Sequence, residues 1–559
     1  MKGRGMLRHR TRWIWLFVIL CAAVASGASA QSRTQTATNP AAAPTEPEIV
    51  MPQVILQIED LSVEKVEAQL PPEEDLLAPE RKIPLLSEGE LAIGEPALPG
   101  PGPEVEPNAG QQKNRLLSAD VNLGAGSPNS IVGSISLKTL GDDPRFSLLF
   151  NHETIDGFAG KPSGSGFNLR NDILDGGLKF RAGGVDTNLS GTFSDNETGL
   201  QGQSMFTARL GRTLSGTAAF SAAPLDWLTL HAAATGGWDW LTMQGAPAPG
   251  PSPQELTGVR ASPSVSAEAR LGVVKLGLET LYAFRSDPAT DQDPGGSLHR
   301  FRTTASFAAD LSTAFLFEAT AGWFVNSERL SRFPFSATLT ATPFEFLTFT
   351  VDGGYKVTPY DMHDVMSVHP LVLPNSIEDD RGWFADVSVQ FAFAKELSAS
   401  LTAAFMASEA MPMGDTTQYA GITGNGLFPV TQERGTLLST KAGMRWGITQ
   451  SFSLSASWTH EFLDRPFFTP VDSLDAELVA LESAGKFGGT VSVSVAPTLS
   501  GVLQQPLLRI SMFVRVSEAV KLQLVGDDLL GLLPGDPRVD IAPFLTPGFR
   551  VTGSLGISL

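Results

Sequence analysis

The densest set of potential ligand groups in the chain is Asp361, His363, Asp364 and His369, two carboxylates and two imidazoles in one polar stretch. Carboxylate oxygen together with neutral imidazole suits a divalent metal. The plainer reading is a solvated loop that binds nothing specific. Met406, Met411 and Met413 offer three sulfurs for a soft cation such as copper. Met406 falls on a strand period, where a thioether more simply fills space, and the other two fall in a loop. His152 and Glu153 adjoin in another polar stretch and read as a solvated pair. No G-x-S-x-G, H-E-x-x-H, P-loop or CxxC motif is present, so neither catalysis nor a cofactor is expected. The single cysteine, Cys21, excludes a disulfide framework, an iron–sulfur cluster and a cysteine-zinc site.

The elements that must position these side chains are strands. From Arg115 onward, short runs alternate apolar and polar residues at period two, which sends successive side chains to opposite faces of a sheet. Trp383, Ala385, Val387, Val389, Phe391 and Phe393 share one face, with Phe384, Asp386, Ser388, Gln390 and Ala392 on the other. Leu347, Phe349, Val351 and Tyr355 oppose Thr348, Thr350, Asp352 and Lys356, and Leu508, Ile510, Met512, Val514 and Val516 oppose Arg509, Ser511 and Arg515. The apolar face excludes charge over about ten residues, the length that crosses a bilayer at a tilt. Trp227, Trp238, Trp240, Trp323 and Trp383 suit the membrane rims, where indole rings prefer the interface. The chain holds four Tyr against 33 Phe, an unusual balance for such a girdle that has no evident physical cause.

The first 114 residues have a different texture. Lys2, Arg4, Arg8, Arg10 and Arg12 precede an apolar run from Trp13 to Ala25, and Ala28-Ser29-Ala30 supplies an A-x-A cleavage site, so residues 1–30 read as a signal peptide. Its removal takes five positive charges from a chain of net charge −19 and leaves −24. So acidic a protein, with no basic cluster beyond that N-terminus, is a poor nucleic-acid binder. Residues 31–114 carry 13 prolines and 15 acidic against five basic residues, the composition of an extended periplasmic arm. Within it, 54–70 is dense enough in apolar residues to be a short docking element.

Connections decide the fold class. Tight turns are expected at Leu140–Asp143, Ala182–Gly184, Pro224–Asp226, Ala394–Glu396, Ile448–Gln450 and Ser517-Glu518, with long polar loops between them at 152–172, 243–258, 286–299, 357–381, 410–432 and 463–484. Short turns alternating with long loops mark an outer-membrane barrel. The expectation is an all-β fold, a single large antiparallel transmembrane β-barrel over 115–559 of roughly 20–22 strands. The stretches 198–222 and 484–517 each read as one long strand or two.

The C-terminus resembles the end of a TonB-dependent receptor barrel. Asp528-Leu529-Leu530 leads into a loop, Pro547-Gly548-Phe549-Arg550 forms a corner, and a final amphipathic strand places Phe549, Val551, Leu555, Ile557 and Leu559 toward lipid. That pattern departs from the family's by the extra residue before Arg550 and by ending in Leu559 where an aromatic residue is usual. The resemblance implies that this strand is the signal read by the barrel-assembly machinery. It also implies a folded plug, yet the 84 residues of the proline-rich arm are the wrong material for one. The lumen must then be blocked by inward-folded loops, by the arm or by another protein. Glu46-Pro47-Glu48-Ile49-Val50-Met51 sits where a TonB box would sit, so Glu48, Ile49, Val50 and Met51 are candidates for strand addition to a TonB-like periplasmic partner reached through residues 46–70.

Function therefore falls between classes. A receptor-like or porin-like conduit for an unidentified solute across the outer membrane leads. A surface-exposed structural or adhesive barrel with a closed lumen is the alternative, and a barrel enzyme lacks any convergent catalytic set.

Overall fold

The computed structural model describes residues 117–559, apart from 142, 246–253, 289–294, 369, 374–376, 395, 415–425, 465–470, 498–503, 534–536, 540 and 542. The expected signal peptide, the arm, its 54–70 element and the Glu48–Met51 segment lie outside the described residues.

Hydrogen bonding joins 23 strands in one antiparallel sheet, and one of them is only the two-residue bridge Ser331–Arg332. The other 22 close on themselves, because the first strand, Leu117–Ser127, pairs with both Ser130–Thr139 and the last strand, Arg550–Ser558. Closure leaves no edge with unpaired backbone groups, which is what a sheet surrounded by lipid requires. An even strand number returns both ends to the same rim, and the short connections other than Pro128-Asn129 share that rim, which is therefore periplasmic. Gly183 and Gly184 show why one such connection needs only two residues. Both have positive φ, +57° and +85°, as a primed hairpin turn demands.

Alternation decides the faces as expected. Val387 and Val351 stand opposite each other and face outward, as do Leu123 and Leu555, all of them exposed on the apolar exterior. The lumen face carries hydroxyls paired across strands, such as Thr320 with Ser336 at 2.8 Å, Thr402 with Ser388 at 3.3 Å and Thr192 with Asp175 at 2.7 Å. Trp227, Trp238, Trp323 and Trp383 are exposed, and Trp238 stacks on Trp240 at 4.7 Å. In the final strand Leu555, Ile557 and the terminal Leu559 are outward and exposed, with Val551 in the same phase; Phe549 precedes the strand.

Three local expectations change. The polar stretch 463–484 is not one loop, since Asp472–Leu481 is a strand within it. Leu474 and Leu478 face outward while Asp475 and Glu477 take the lumen side, and so many acidic residues masked the alternation. His152 and Glu153 belong to the strand Arg145–Asp156 and point to opposite faces, so they are not a solvated loop pair. His152 meets Asp172 at 2.5 Å outside, while Glu153 pairs with Arg550 inside. Met411 and Met413 extend the strand Leu397–Gly414 past a bulge, and Met411 is buried as a packing residue. The two open segments also resolve. A single 20-residue strand, Phe206–Leu225, follows a loop at 200–205, whereas 484–517 contains two strands, Phe487–Val495 and Leu507–Arg515.

Candidate functional site

Strands such as Phe206–Leu225 and Leu228–Gly245 are longer than a bilayer crossing needs and extend the wall beyond the lipid on the loop side. There the molecule acquires its buried core. Leu200 and Phe206, Leu371 and Val372, Leu427 and Phe428, and Ile541 and Phe544 come from four separate loop regions and pack into one cluster. Wall residues Leu241 and Met243 complete it. These loops are the connections of one rim, so their convergence forms a lid over the mouth of the lumen.

Polar contacts join the lid's pieces. Val372 and Phe428 form a parallel bridge, with Leu373 N–H donating to the Phe428 carbonyl and Phe428 N–H to the Leu371 carbonyl, both at 2.8 Å. Gln201 exchanges two bonds with the backbone of Leu545, at 2.8 and 2.9 Å. Phe428 and Phe544 meet edge to face, with ring centres 6.3 Å apart.

The lid segment 359–379 is clamped to the wall by arginines at the loop-side ends of successive strands. Arg285 donates to the carbonyls of Tyr360 and Ile377, and Arg300 donates to the Tyr360 carbonyl at 2.8 Å and to the Asp379 carboxylate. Asn326 Nδ2 donates to the other Asp379 oxygen at 3.2 Å. Asp379 is almost completely buried, so this is an ion pair withdrawn from water and satisfied on both oxygens. Gln432, near the start of the strand Val430–Gly447, grips the same segment, accepting from Glu378 N–H at 2.6 Å and donating to its carbonyl at 2.9 Å.

The residues singled out as metal ligands lie in this segment. Asp361 and Asp364 bracket the start of the short helix Met362–Val368: Asp364 N–H donates to Asp361 at 3.0 Å and Asp361 N–H to Asp364 at 2.8 Å. That reciprocal exchange is a capping box and accounts for both carboxylates structurally. His363 points to Asp239 at 3.4 Å, and Arg260 reaches Asp239 at 2.6 Å and Asp361 at 3.8 Å. His369 lies outside the described residues. Among the described residues no group of three or more His, Cys, Asp or Glu side chains is close enough to hold a metal. Burial, and next the neighbouring Asp361 charge, push the Asp364 carboxyl above its ordinary range, while burial raises the Tyr360 hydroxyl.

Two groups escaped the sequence reading. One is the arginine row, Arg209, Arg260, Arg285 and Arg300, each near the loop end of a strand on its inward phase. Alternation analysis restricted to charged residues would have found it. The other is the inward cluster Glu153, Arg509, Asp527 and Arg550, in which Asp527 meets Arg509 at 2.8 Å and Arg550 at 2.6 Å. Glu153 reaches this group from 397 residues away, and no local pattern announces the meeting.

Comparison with known proteins bears on the architecture. No protein-family model and no curated protein matches the chain. Solved structures do. A ferric enterobactin receptor of Pseudomonas aeruginosa in complex with enterobactin superposes with a TM-score of 0.61 at 11% identity, covering 80% of this chain and 82% of that one. The siderophore receptor PirA from Acinetobacter baumannii gives 0.59 at 9% identity over 79% and 80%. The copper transporter OprC gives 0.59 at 12% over 79% and 80%. The likeness read at the C-terminus thus extends to the whole barrel: the chain shares its fold with these two receptors and this transporter.

Proposed function

We propose that the protein is an integral outer-membrane conduit, receptor-like or porin-like, whose solute passage is gated at the cell surface by the loop lid. One observation carries the reading. A lumen face lined by Ser, Thr and paired charges is roofed by an apolar lid whose pieces are held by side-chain contacts rather than by continuous sheet. A polar passage under a separately built closure is the construction of a gated route. The neighbours' printed roles, receptors for siderophores and a copper transporter, point the same way and none is an enzyme.

Further partners follow from the sequence. Outer-membrane lipid covers the apolar exterior, the final strand is the signal for the barrel-assembly machinery, and residues 46–70 are the segment through which a TonB-like periplasmic protein would pull. The deciding experiment is conductance of the purified protein in planar bilayers, alone and with the lid released by Asp379→Ala. Current through the released form, with little through the parent, supports a gated conduit. Absence of current in both would hand the function to a closed-lumen surface barrel.

A further inference from the structure

Arg209 stands apart from the arginines that clamp the lid. Its side chain is 2% exposed, and its Nε and Nη2 atoms are buried with no hydrogen-bond partner among the described residues. It makes no ion pair there either, whereas Arg260, Arg285 and Arg300 each do. A guanidinium stays charged in a protein, and an unpaired buried charge is among the costliest features a fold can keep.

Its position is specific. Arg209 and Gly211 share the inward phase of one strand, and the guanidinium folds back over Gly211, so that a Cβ there would lie 3.1 Å from Nη1. The terminal methyl of Met366, on the lid helix, sits 3.1 Å from the same point, so methyl and guanidinium converge over Gly211. In register, Gly211 lies between Leu241 and Asn196, and Asn196 lies opposite Asn171. The Oδ1 atoms of both asparagines are also buried without partners. Asp239, on the adjoining row opposite Thr213, is already held by Arg260.

Nε and Nη2 form one edge of the guanidinium, two parallel donors at the spacing that a carboxylate or phosphate accepts as a bidentate pair. We propose that Arg209 is the recognition group for an oxyanion, a carboxylate or a phosphate carried by the solute, and that binding displaces the neighbouring Met366 methyl and so opens the lid. The proposal rests on the conduit reading and names its substrate class. The coupling has a simple cause: the closed lid leaves the charge unpaired, an anion pairs it only when Met366 has moved away, and a ligand that binds one state alone shifts the population toward it.

The test uses full-length protein in lipid vesicles, in a Cys21→Ser background with Met366→Cys as a thiol reporter. Maleimide labelling is followed with inorganic phosphate, with citrate, and with sodium chloride at matched ionic strength. Phosphate or citrate should speed labelling about tenfold, the change that 1.4 kcal/mol of differential binding gives, and Arg209→Gln should abolish the response. Acceleration by phosphate alone assigns the phosphate form, and by citrate alone the carboxylate form. Labelling indifferent to both anions, equal acceleration by chloride, or an undiminished response in Arg209→Gln overturns the proposal. Conductance of Asp379→Ala separates this outcome from failure of the conduit reading. A conducting protein whose reporter ignores anions loses the site but keeps the passage, and a non-conducting protein with an anion-dependent reporter does the reverse.

Discussion

The membrane-spanning wall and the lid are two kinds of protein in one chain. The wall is a closed ladder of backbone hydrogen bonds with alternating faces, and its apolar side chains are exposed: Val351, Leu401 and Leu478 face outward into lipid. The lid has the construction of a soluble core, with Leu200, Val372 and Phe428 inaccessible and an Arg300–Asp379 ion pair among them. One region is held by the pairing that lipid enforces, the other by the hydrophobic effect and by specific polar clamps. Damage to the lid should therefore leave the barrel standing, while damage to the outer face should impair assembly itself.

The largest effect is expected where the lid's buried charge loses its partner. Asp379→Ala leaves Arg300 uncompensated, a change of about 3–5 kcal/mol, so conductance should rise sharply while heat-modifiable gel migration stays normal. Loss of that migration would show that lid and wall are not separable. Phe428→Ala should act in the same direction through packing alone, at about 3–5 kcal/mol for a fully buried aromatic, and chloride conductance compared between the two variants would rank charge against packing.

Next comes the outer face. Val389 pairs with Phe349 and Leu401 on the lipid side, so Val389→Arg should cost about 2–4 kcal/mol near the midplane. Ser388→Arg, on the lumen phase, should assemble normally. Equal loss in urea-unfolding measurements of the two variants would reverse the assignment of faces.

A smaller effect concerns pH. Asp364 has its folded pKa raised by burial and by Asp361, so its contribution to the lid is complete below the ordinary carboxylate pKa and is lost as pH rises through the elevated value. Lid opening, read as conductance, should increase from acid toward neutral pH, and Asp364→Asn should flatten the profile. A profile that keeps its slope in Asp364→Asn places the titration elsewhere. The smallest effect is expected from deleting residues 31–114. With a lid built from the barrel's own loops, assembly and basal conductance should both persist, and a clear rise in conductance would make the arm a second block.

Much of the wall was legible in the sequence because its cause is local. Lipid on one side and water on the other impose period two within each strand, and the run around Trp383 to Phe393 shows it without help from any other part of the chain. The strand Asp472–Leu481 escaped because Asp475 and Glu477, both allowed by a polar lumen, made it look like loop. The turn at Gly183-Gly184 was readable for a similarly local reason, the positive φ that glycine tolerates. Asp361, His363 and Asp364 were noticed for the right chemistry, but their roles in capping a helix and meeting Asp239 depend on partners that spacing alone does not reveal.

The sequence by itself determined which residues face lipid and how the final strand alternates, since each follows from side-chain polarity and strand period. Tertiary structure alone decided that Leu200, Val372, Phe428 and Phe544 meet, that Arg300 finds Asp379, and that Arg209 finds no partner among the described residues. Those contacts join segments far apart along the chain, and barrel closure, by bringing the strand ends and loops to one rim, is the physical event that creates them.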